Sequence, residues 1–299
     1  MHLKVNASQS SANARRRNQI KPYLFLLPML LFALLFCYYP AIKSLVYSLS
    51  VVNGKGQILG WAGLSNYSYL FGSRSFQAAL RNTLWLTGAF VVCNLLLALS
   101  MALLANQKRR LSALYETMFT LPMAISMPAL CLIFKVLLNP TVGYINQLFG
   151  VQWGWFQDQN MAMWGILMIC ILMGVSFDFL LFLSALRAVP EPVLEAATID
   201  GAGAVTKFFR IVLPRLSPTI LYVVCTNIAL AMMTSGPILI LTQGGPNRST
   251  TTLIQLMYTA GYGSSNYSLA ACISVVAFTL TIGITLLAFF FERKAVSYE

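Results

Sequence analysis

Residues 190–214 read PEPVLEAATIDGAGAVTKFFRIVLP and lie between two long apolar runs. Pro192 stands where the first turn of a helix tolerates proline, because that turn has no use for its missing N–H. Gly201 follows the helix-forming residues, as is common at a helix C-terminus. A second short helix is predicted over 204–213, ending at Pro214 because proline disrupts a helix interior. The stretch therefore predicts a helix–turn–helix outside the membrane-spanning segments.

The composition on both sides of this stretch is that of a membrane protein. Charged residues make up 9% of the 299-residue chain, against about 25% in soluble domains. Hydrophobic residues make up 58%, and the mean hydropathy is +0.72. These values exclude a soluble globular enzyme and a disordered chain. The net charge of +12 rests on charges too few and too clustered for a nucleic-acid binder.

Charge-free runs define the membrane spans, because about 20 helical residues are needed to cross the hydrocarbon core. An all-α membrane protein with six transmembrane helices is predicted. The spans are expected over 23–42, 83–106, 118–138, 162–186, 218–240 and 269–291. The segment between the last two spans is expected to be a loop with room for a short helix.

Basic residues set the predicted orientation of these spans. They concentrate in the tail 1–21, in 107–117, in 187–217 and in the tail 292–299. The alternate loops hold Lys55, Arg74, Arg81 and Arg248. The positive-inside rule therefore places both termini in the cytoplasm and leaves 22–291 as the transmembrane domain. Attraction to anionic membrane lipid is a further expectation.

No catalytic or metal-binding residue is predicted. The sequence contains no GxxxxGK[ST] motif, and its single histidine is His2. A nucleotide site of the P-loop type, a Ser-His-Asp triad and a histidine metal site therefore have no residues to form them.

Within 190–214, the spacing Glu195-Ala196-Ala197, Gly201, Ile211 and Leu213-Pro214 resembles the EAA loop of ABC importer permeases. Other segments resemble the carbohydrate-uptake branch of that family, which includes maltose-type and glycerol-3-phosphate-type permeases. They are Tyr23 to Pro40, Gly63-Leu64-Ser65-Asn66-Tyr67, Leu121-Pro122, Leu138-Asn139-Pro140 with Gly143 and Asn146, and Leu241-Thr242-Gln243-Gly244-Gly245-Pro246.

The resemblance implies a type I ABC importer transmembrane domain in a bacterial inner membrane. A second permease, two ATPase subunits that bind ATP and Mg, an extracytoplasmic binding protein and a carbohydrate substrate are the implied partners. Nucleic acid is not among them. The EAA loop, 187–217, would seat in a cleft of the ATPase and couple its closure to the membrane cavity. The implied coupling residues are Glu195, Ala196, Ala197, Asp200, Gly201, Arg210, Leu213 and Pro214.

Four polar residues of the spans are candidates for the substrate pathway. Thr234 and Ser235 stand at the register where the resembling maltose-type permeases place sugar contacts, and Asn227 lies on the same span. The asparagines of the maltose case are absent there, which argues against maltose. Asp178 is an intramembrane acid, and therefore either a functional residue or a partner of other polar groups in the bundle.

Several alternatives stay open from the sequence. The outer loop Gly244-Gly245-Pro246 is either a simple turn or part of a gate at the outer mouth. The substrate is either an oligosaccharide or a glycerol-3-phosphate-like solute, to which the Gly201-Ala202-Gly203 and Thr250–Ile254 stretches lean. The chain could instead be a secondary transporter driven by an ion gradient, a class that typically has inverted repeats and acidic residues within the membrane. The sequence has one such acid and no repeat. A structural membrane protein gives no reason for the EAA spacing.

Overall fold

The structure is a computed structural model that describes residues 25–107 and 112–292, with side chains to residue 290. The predicted tail 1–21, residues 293–299 and the basic cluster at 108–110 lie outside the described residues. Eleven helices and one two-stranded hairpin make up the described part. The helices are α1 Phe25–Ser48, α2 Ser65–Gly72, α3 Arg74–Ala105, α4 Ser112–Ala124, α5 Met127–Leu137, α6 Tyr144–Phe149, α7 Ala162–Arg187, α8 Glu191–Ile199, α9 Ala204–Leu241, α10 Leu253–Tyr258 and α11 Tyr267–Glu292. Strands β1 Ser50–Val52 and β2 Ile58–Trp61 pair antiparallel.

Within the described residues, five helices are long and apolar enough to cross a membrane, and a sixth span results if α4 and α5 are taken together. The prediction of six spans is confirmed on that basis. The helices α1, α3, α7, α9 and α11 contain most of the predicted spans, and α3 and α9 begin well before them. We call the end of the bundle that carries the β1–β2 hairpin the hairpin end, and the end that carries α8 the α8 end.

The third span differs from its prediction, because it is not one helix over 118–138. Helices α4 and α5 meet at an angle of 100°, and the backbone at Ile125 and Ser126 is extended. Pro128 lacks the N–H that would bond the carbonyl of Ala124, and its ring would clash with that carbonyl. The span is therefore bent where proline prevents a continuous hydrogen-bond ladder.

The predicted helix end at Pro214 is wrong, because the chain stays helical from Ala204 into the membrane. A π-helical turn, Phe208–Val212, directly precedes Pro214, and the N–H of Leu213 bonds the carbonyl of Phe208. This wider turn accommodates a residue that cannot donate to the ladder.

Farther along α9, Pro218 leaves the carbonyl of Pro214 without its usual backbone donor. The Ser217 hydroxyl donates to that carbonyl at 2.7 Å. A side chain thus supplies the hydrogen bond that proline removes from a transmembrane helix.

Helices α3 and α7 form the most extensive helix pair, and α9 packs on both of them to complete the core of the bundle. Toward the hairpin end, Leu86, Ile166 and Ile238 are fully buried together. Toward the α8 end, Phe179, Phe182 and Leu216 are fully buried together. A third cluster joins α2, α3, α10 and α11. These clusters hold the membrane-spanning parts of α3, α7 and α9 together in one unit.

Helix α1 lies at the edge of this unit. Its C-terminal part, Tyr39–Ser48, packs on α11, where the hydroxyls of Ser44 and Ser274 are 2.8 Å apart. Its middle turn, Leu34–Tyr38, has no buried residue. An apolar surface of this kind suits contact with lipid.

Candidate functional site

The turn after α8 is a complete Schellman motif. The N–H of Gly201 bonds the carbonyl of Thr198 at 3.0 Å, and the N–H of Ala202 bonds that of Ala197 at 2.9 Å. Gly201 has φ +80°, a conformation that residues with a Cβ rarely adopt. The four-residue spacing from Ala197 to Gly201 is the spacing that this motif requires. The predicted helix stop at Gly201 is therefore confirmed in the backbone.

The segment from α8 to the start of α9 is held rigidly but exposes its tip. Leu194 and Val212 pack on the buried cluster of α3, α7 and α9, and Lys207 Nζ donates to Thr198 Oγ1 at 3.0 Å. Of the residues predicted for coupling, Ala197 and Leu213 are half-buried. Glu195, Ala196, Asp200, Gly201, Arg210 and Pro214 are exposed.

Three apolar side chains at this tip are missing from the sequence prediction. Ile199 is 86% exposed, Val205 71% and Phe209 60%. We call Ile199, Val205 and Phe209 the apolar tip. Their residue types provided little signal, because most residues of 190–214 are apolar. The same segment exposes Glu195, Asp200 and Arg210, and a mixture of apolar and charged side chains is typical of protein interfaces.

A second polar feature lies inside the bundle, where Asp178 of α7 meets two asparagines. Asn94 of α3 and Asn227 of α9 both donate through Nδ2 to Asp178 Oδ2, at 2.5 and 2.6 Å. Asp178 is 2% exposed, Asn227 1% and Asn94 0%. The predicted pathway residues Asp178 and Asn227 are thus brought together, as partners of each other.

Asn94 was not predicted, because an uncharged amide in a charge-free run does not stand out from its neighbours. Its close approach to α7 depends on Gly174, where a Cβ would lie 2.9 Å from Phe90 and 3.2 Å from Asn94 Nδ2. Asn94, Asp178 and Asn227 form what we call the three-helix tie. Buried amide-to-carboxylate hydrogen bonds of this kind are directional and stronger than those between neutral groups.

Thr234 and Ser235 lie apart from the three-helix tie, at a break in α9. The regular helix ends at Met232 and resumes at Gly236. The Thr234 hydroxyl bonds the Leu230 carbonyl at 2.9 Å, and the Thr234 carbonyl accepts from Thr252 Oγ1 at 3.2 Å. Thr234 and Ser235 are both half-buried. Their predicted contact with substrate stays a prediction.

The break in α9 packs against the break between α4 and α5. A Cβ on Gly236 would lie 2.2 Å from the terminal methyl of Met127. Two interrupted spans therefore meet at their interruptions, and glycine is what lets them approach.

The outer loop Gly244-Gly245-Pro246 is tied down by threonines. Gly244 has φ +90°, and its carbonyl accepts from Thr251 Oγ1 at 3.0 Å. The Gly245 carbonyl accepts from Thr250 Oγ1 at 2.7 Å. Asn82 Nδ2 on α3 donates to the carbonyls of Arg248 and Thr251 at 2.9 and 3.0 Å. The loop is thus fastened to α3 through the residues that follow it, and its predicted role at the outer mouth stays a prediction.

Helices α3, α4, α5 and α7 line an open apolar cavity of about 510 Å³ beside the bend of the third span. Its lining is Leu97, Met101, Met118, Phe119, Pro122, Phe134, Met168, Ile171, Leu172 and Val175. These side chains offer no group that would recognise a sugar hydroxyl or a phosphate.

The described residues thus combine two interrupted spans, a polar tie between three helices and a helix–turn–helix at one end of the bundle. A comparison with solved structures gives the same fold. The chain matches a bacterial ABC transporter involved in the import of the acidic polysaccharide alginate, with a TM-score of 0.83 and 22% identity, covering 95% of this chain and 100% of that one. It also matches a bacterial alginate ABC transporter in complex with alginate pentasaccharide-bound periplasmic protein, with a TM-score of 0.82. The fold is the type I ABC importer transmembrane domain.

The chain belongs to the family of binding-protein-dependent transport system inner membrane components, whose model matches residues 94–296. Among curated relatives, the sn-glycerol-3-phosphate transport system permease protein UgpA of Pectobacterium atrosepticum is 33% identical over 95% of this chain and 97% of its own length. The UgpA protein of Escherichia coli (strain UTI89) is 32% identical over 97% of this chain and 100% of its own length. The resemblance inferred from the EAA spacing is confirmed.

Proposed function

We propose that the chain is a permease subunit that passes a glycerol-3-phosphate-like solute, or a related carbohydrate, from an extracytoplasmic binding protein into the cytoplasm. The observation that carries the proposal is the helix–turn–helix of Glu191–Ile199 and Ala204–Lys207, which exposes an apolar tip and continues into a membrane-spanning helix. The names of the UgpA relatives support the solute class.

The proposed coupling works through the α8 end. An ATPase subunit, which would bind ATP and Mg, receives the apolar tip in a cleft, and Glu195 and Arg210 provide charges at the edge of that contact. Because Gly201 closes a Schellman motif and Leu194 is anchored in the bundle, the segment would move as a solid body. A rigid segment passes a displacement to α9, whereas a flexible one would absorb it.

The proposed complex holds a second permease of the same family, two ATPase subunits and the binding protein. The hairpin β1–β2 and the loop after α9 lie at the end opposite α8, so they would face outward, toward the binding protein. Both termini would then lie in the cytoplasm, as the basic residues predict. The chain itself would catalyse no reaction.

The test is reconstitution of the complex in lipid vesicles, with ATP inside and the loaded binding protein outside. Uptake and ATP hydrolysis should both rise with sn-glycerol-3-phosphate, and less with maltose or an alginate oligosaccharide. A stronger response to one of these sugars would refute the solute class and retain the importer. Uptake driven by an ion gradient in vesicles without ATP would instead establish the secondary-transporter alternative.

A further inference from the structure

Helix α9 connects the α8 end to the three-helix tie without a break. It is helical from Ala204 to Met232, and Asn227 lies 23 residues into it, or about 35 Å along the axis at 1.5 Å per residue. We call this part of α9, Ala204–Met232, the inner rod. The helix continues through the π-helical turn and past Pro218, so a displacement at Ala204 can pass along it to Asn227.

Directly beyond Met232 the inner rod ends. The outer piece, Gly236–Leu241, follows the break and is held by other contacts. The Thr234 carbonyl accepts a hydrogen bond from Thr252, and Gly236 packs on Met127. The regular helix is therefore interrupted between the inner rod and the outer piece, and the three-helix tie lies on the inner side of the interruption.

The other side of the tie is fixed to the scaffold. Asp178 stands on α7, and Asn94 holds its carboxylate from α3, the helix that packs most extensively on α7. Leu216 and Val223 of the inner rod pack on this scaffold through apolar contacts. Apolar side chains pack in several registers at similar cost, whereas a hydrogen bond to a carboxylate fixes distance and direction.

We propose that Asn94 and Asp178 are positioning residues that set the register of the inner rod through Asn227. This inference rests on the proposed function, since the register concerns a helix that the ATPase would displace. The carboxylate holds the inner rod in one position on α3 and α7, so a stroke at the α8 end moves the three helices together. The displacement of the α8 end and the movement of the membrane helices then occur together, and neither occurs without the other.

The experiment measures solute uptake and ATP hydrolysis by the reconstituted complex carrying Asn227→Leu. This variant leaves the Asn94–Asp178 hydrogen bond in place and removes only the link to the rod. We expect the complex to assemble and hydrolyse ATP, while the solute moved per ATP falls by about tenfold or more, given the usual strength of hydrogen bonds to charged groups.

Two further variants separate positioning from packing. The matched control is Thr226→Val, because the Thr226 hydroxyl bonds the Tyr222 carbonyl of its own helix at 2.8 Å and ties α9 to nothing. It should keep the wild-type ratio of uptake to hydrolysis. The double variant Asp178→Asn with Asn227→Asp exchanges the carboxylate and the amide across the same pair, and should restore at least part of that ratio.

The outcomes are distinct. A wild-type ratio in Asn227→Leu overturns the inference, as does an exchange variant that assembles but shows no recovery. If Asn227→Leu fails to assemble, Asn227→Gln keeps the amide but shifts it by one methylene, and a wild-type ratio there also overturns a fixed register. If the wild-type complex itself shows no ATP-dependent uptake, the proposed function fails before the inference is tested.

Discussion

Substitution of Gly201 by alanine should weaken the contact between the permease and its ATPase subunit. Gly201 has φ +80°, and a Cβ at this position would meet no atom within 4 Å. The cost is therefore conformational rather than steric, at about 1–2 kcal/mol for a left-handed residue with a Cβ. The free segment would relieve this strain by leaving the left-handed conformation, which binding then restores. Since 1.36 kcal/mol corresponds to a factor of ten, the affinity should fall by about five- to thirtyfold.

The chain provides a matched control two residues away. Gly203 has φ −67° and also has no atom within 4 Å of an added Cβ, so Gly203→Ala should bind like the wild type. Gly201→Asn should fall between the two, because asparagine tolerates the left-handed conformation better than alanine does. The assay is the dissociation constant of the ATPase subunit for the permease in lipid nanodiscs.

The result that would refute this reasoning is equal affinity for Gly201→Ala and the wild type, or an equal loss in Gly203→Ala. In the first case the Schellman geometry would be irrelevant to the contact. In the second case the loss would come from a methyl group on the binding surface itself. Helix content measured by circular dichroism should be unchanged in all three variants, because neither glycine packs against another element.

Three other perturbations have expected outcomes. Gly236→Ala should destabilise the protein by about 1–3 kcal/mol through overpacking against the Met127 methyl, and adding Met127→Ala should recover part of the loss in thermal unfolding followed by tryptophan fluorescence. Asn82→Leu removes two hydrogen bonds to the loop after α9, so hydrogen exchange in that loop should accelerate while exchange in α8 stays unchanged. Arg187→Ala should change stability by less than about 1 kcal/mol, because its ion pair with Glu116 is partly exposed to solvent. A larger loss would mean that the pair is embedded in an interface of the assembled complex.

Local backbone structure was predictable from the sequence where it depends on residues that are close together in the chain. The stop at Gly201 follows from a motif that closes within six residues, so its spacing alone was sufficient. The bend at Pro128 was also within reach, since proline removes one hydrogen bond at a known position. The prediction of a single third span gave more weight to the charge-free length than to the proline.

Features that depend on tertiary contacts were not predictable. Pro214 predicted a helix end, but a π-helical turn before it let the helix continue, and nothing in the residue types distinguishes the two outcomes. Asn94 and Asp178 are 84 residues apart in sequence, and their pairing follows from how α3 packs on α7. Polar side chains in separate spans find partners only when the spans assemble.

The apolar cavity at the bend of the third span has an electrical consequence. A water molecule inside a protein needs two to four polar partners, and the side chains that line this cavity offer none. Ions cannot shed their hydration shells into such a space, because no group replaces the lost water. The apolar lining therefore makes the bend of the third span resistive to the passage of ions.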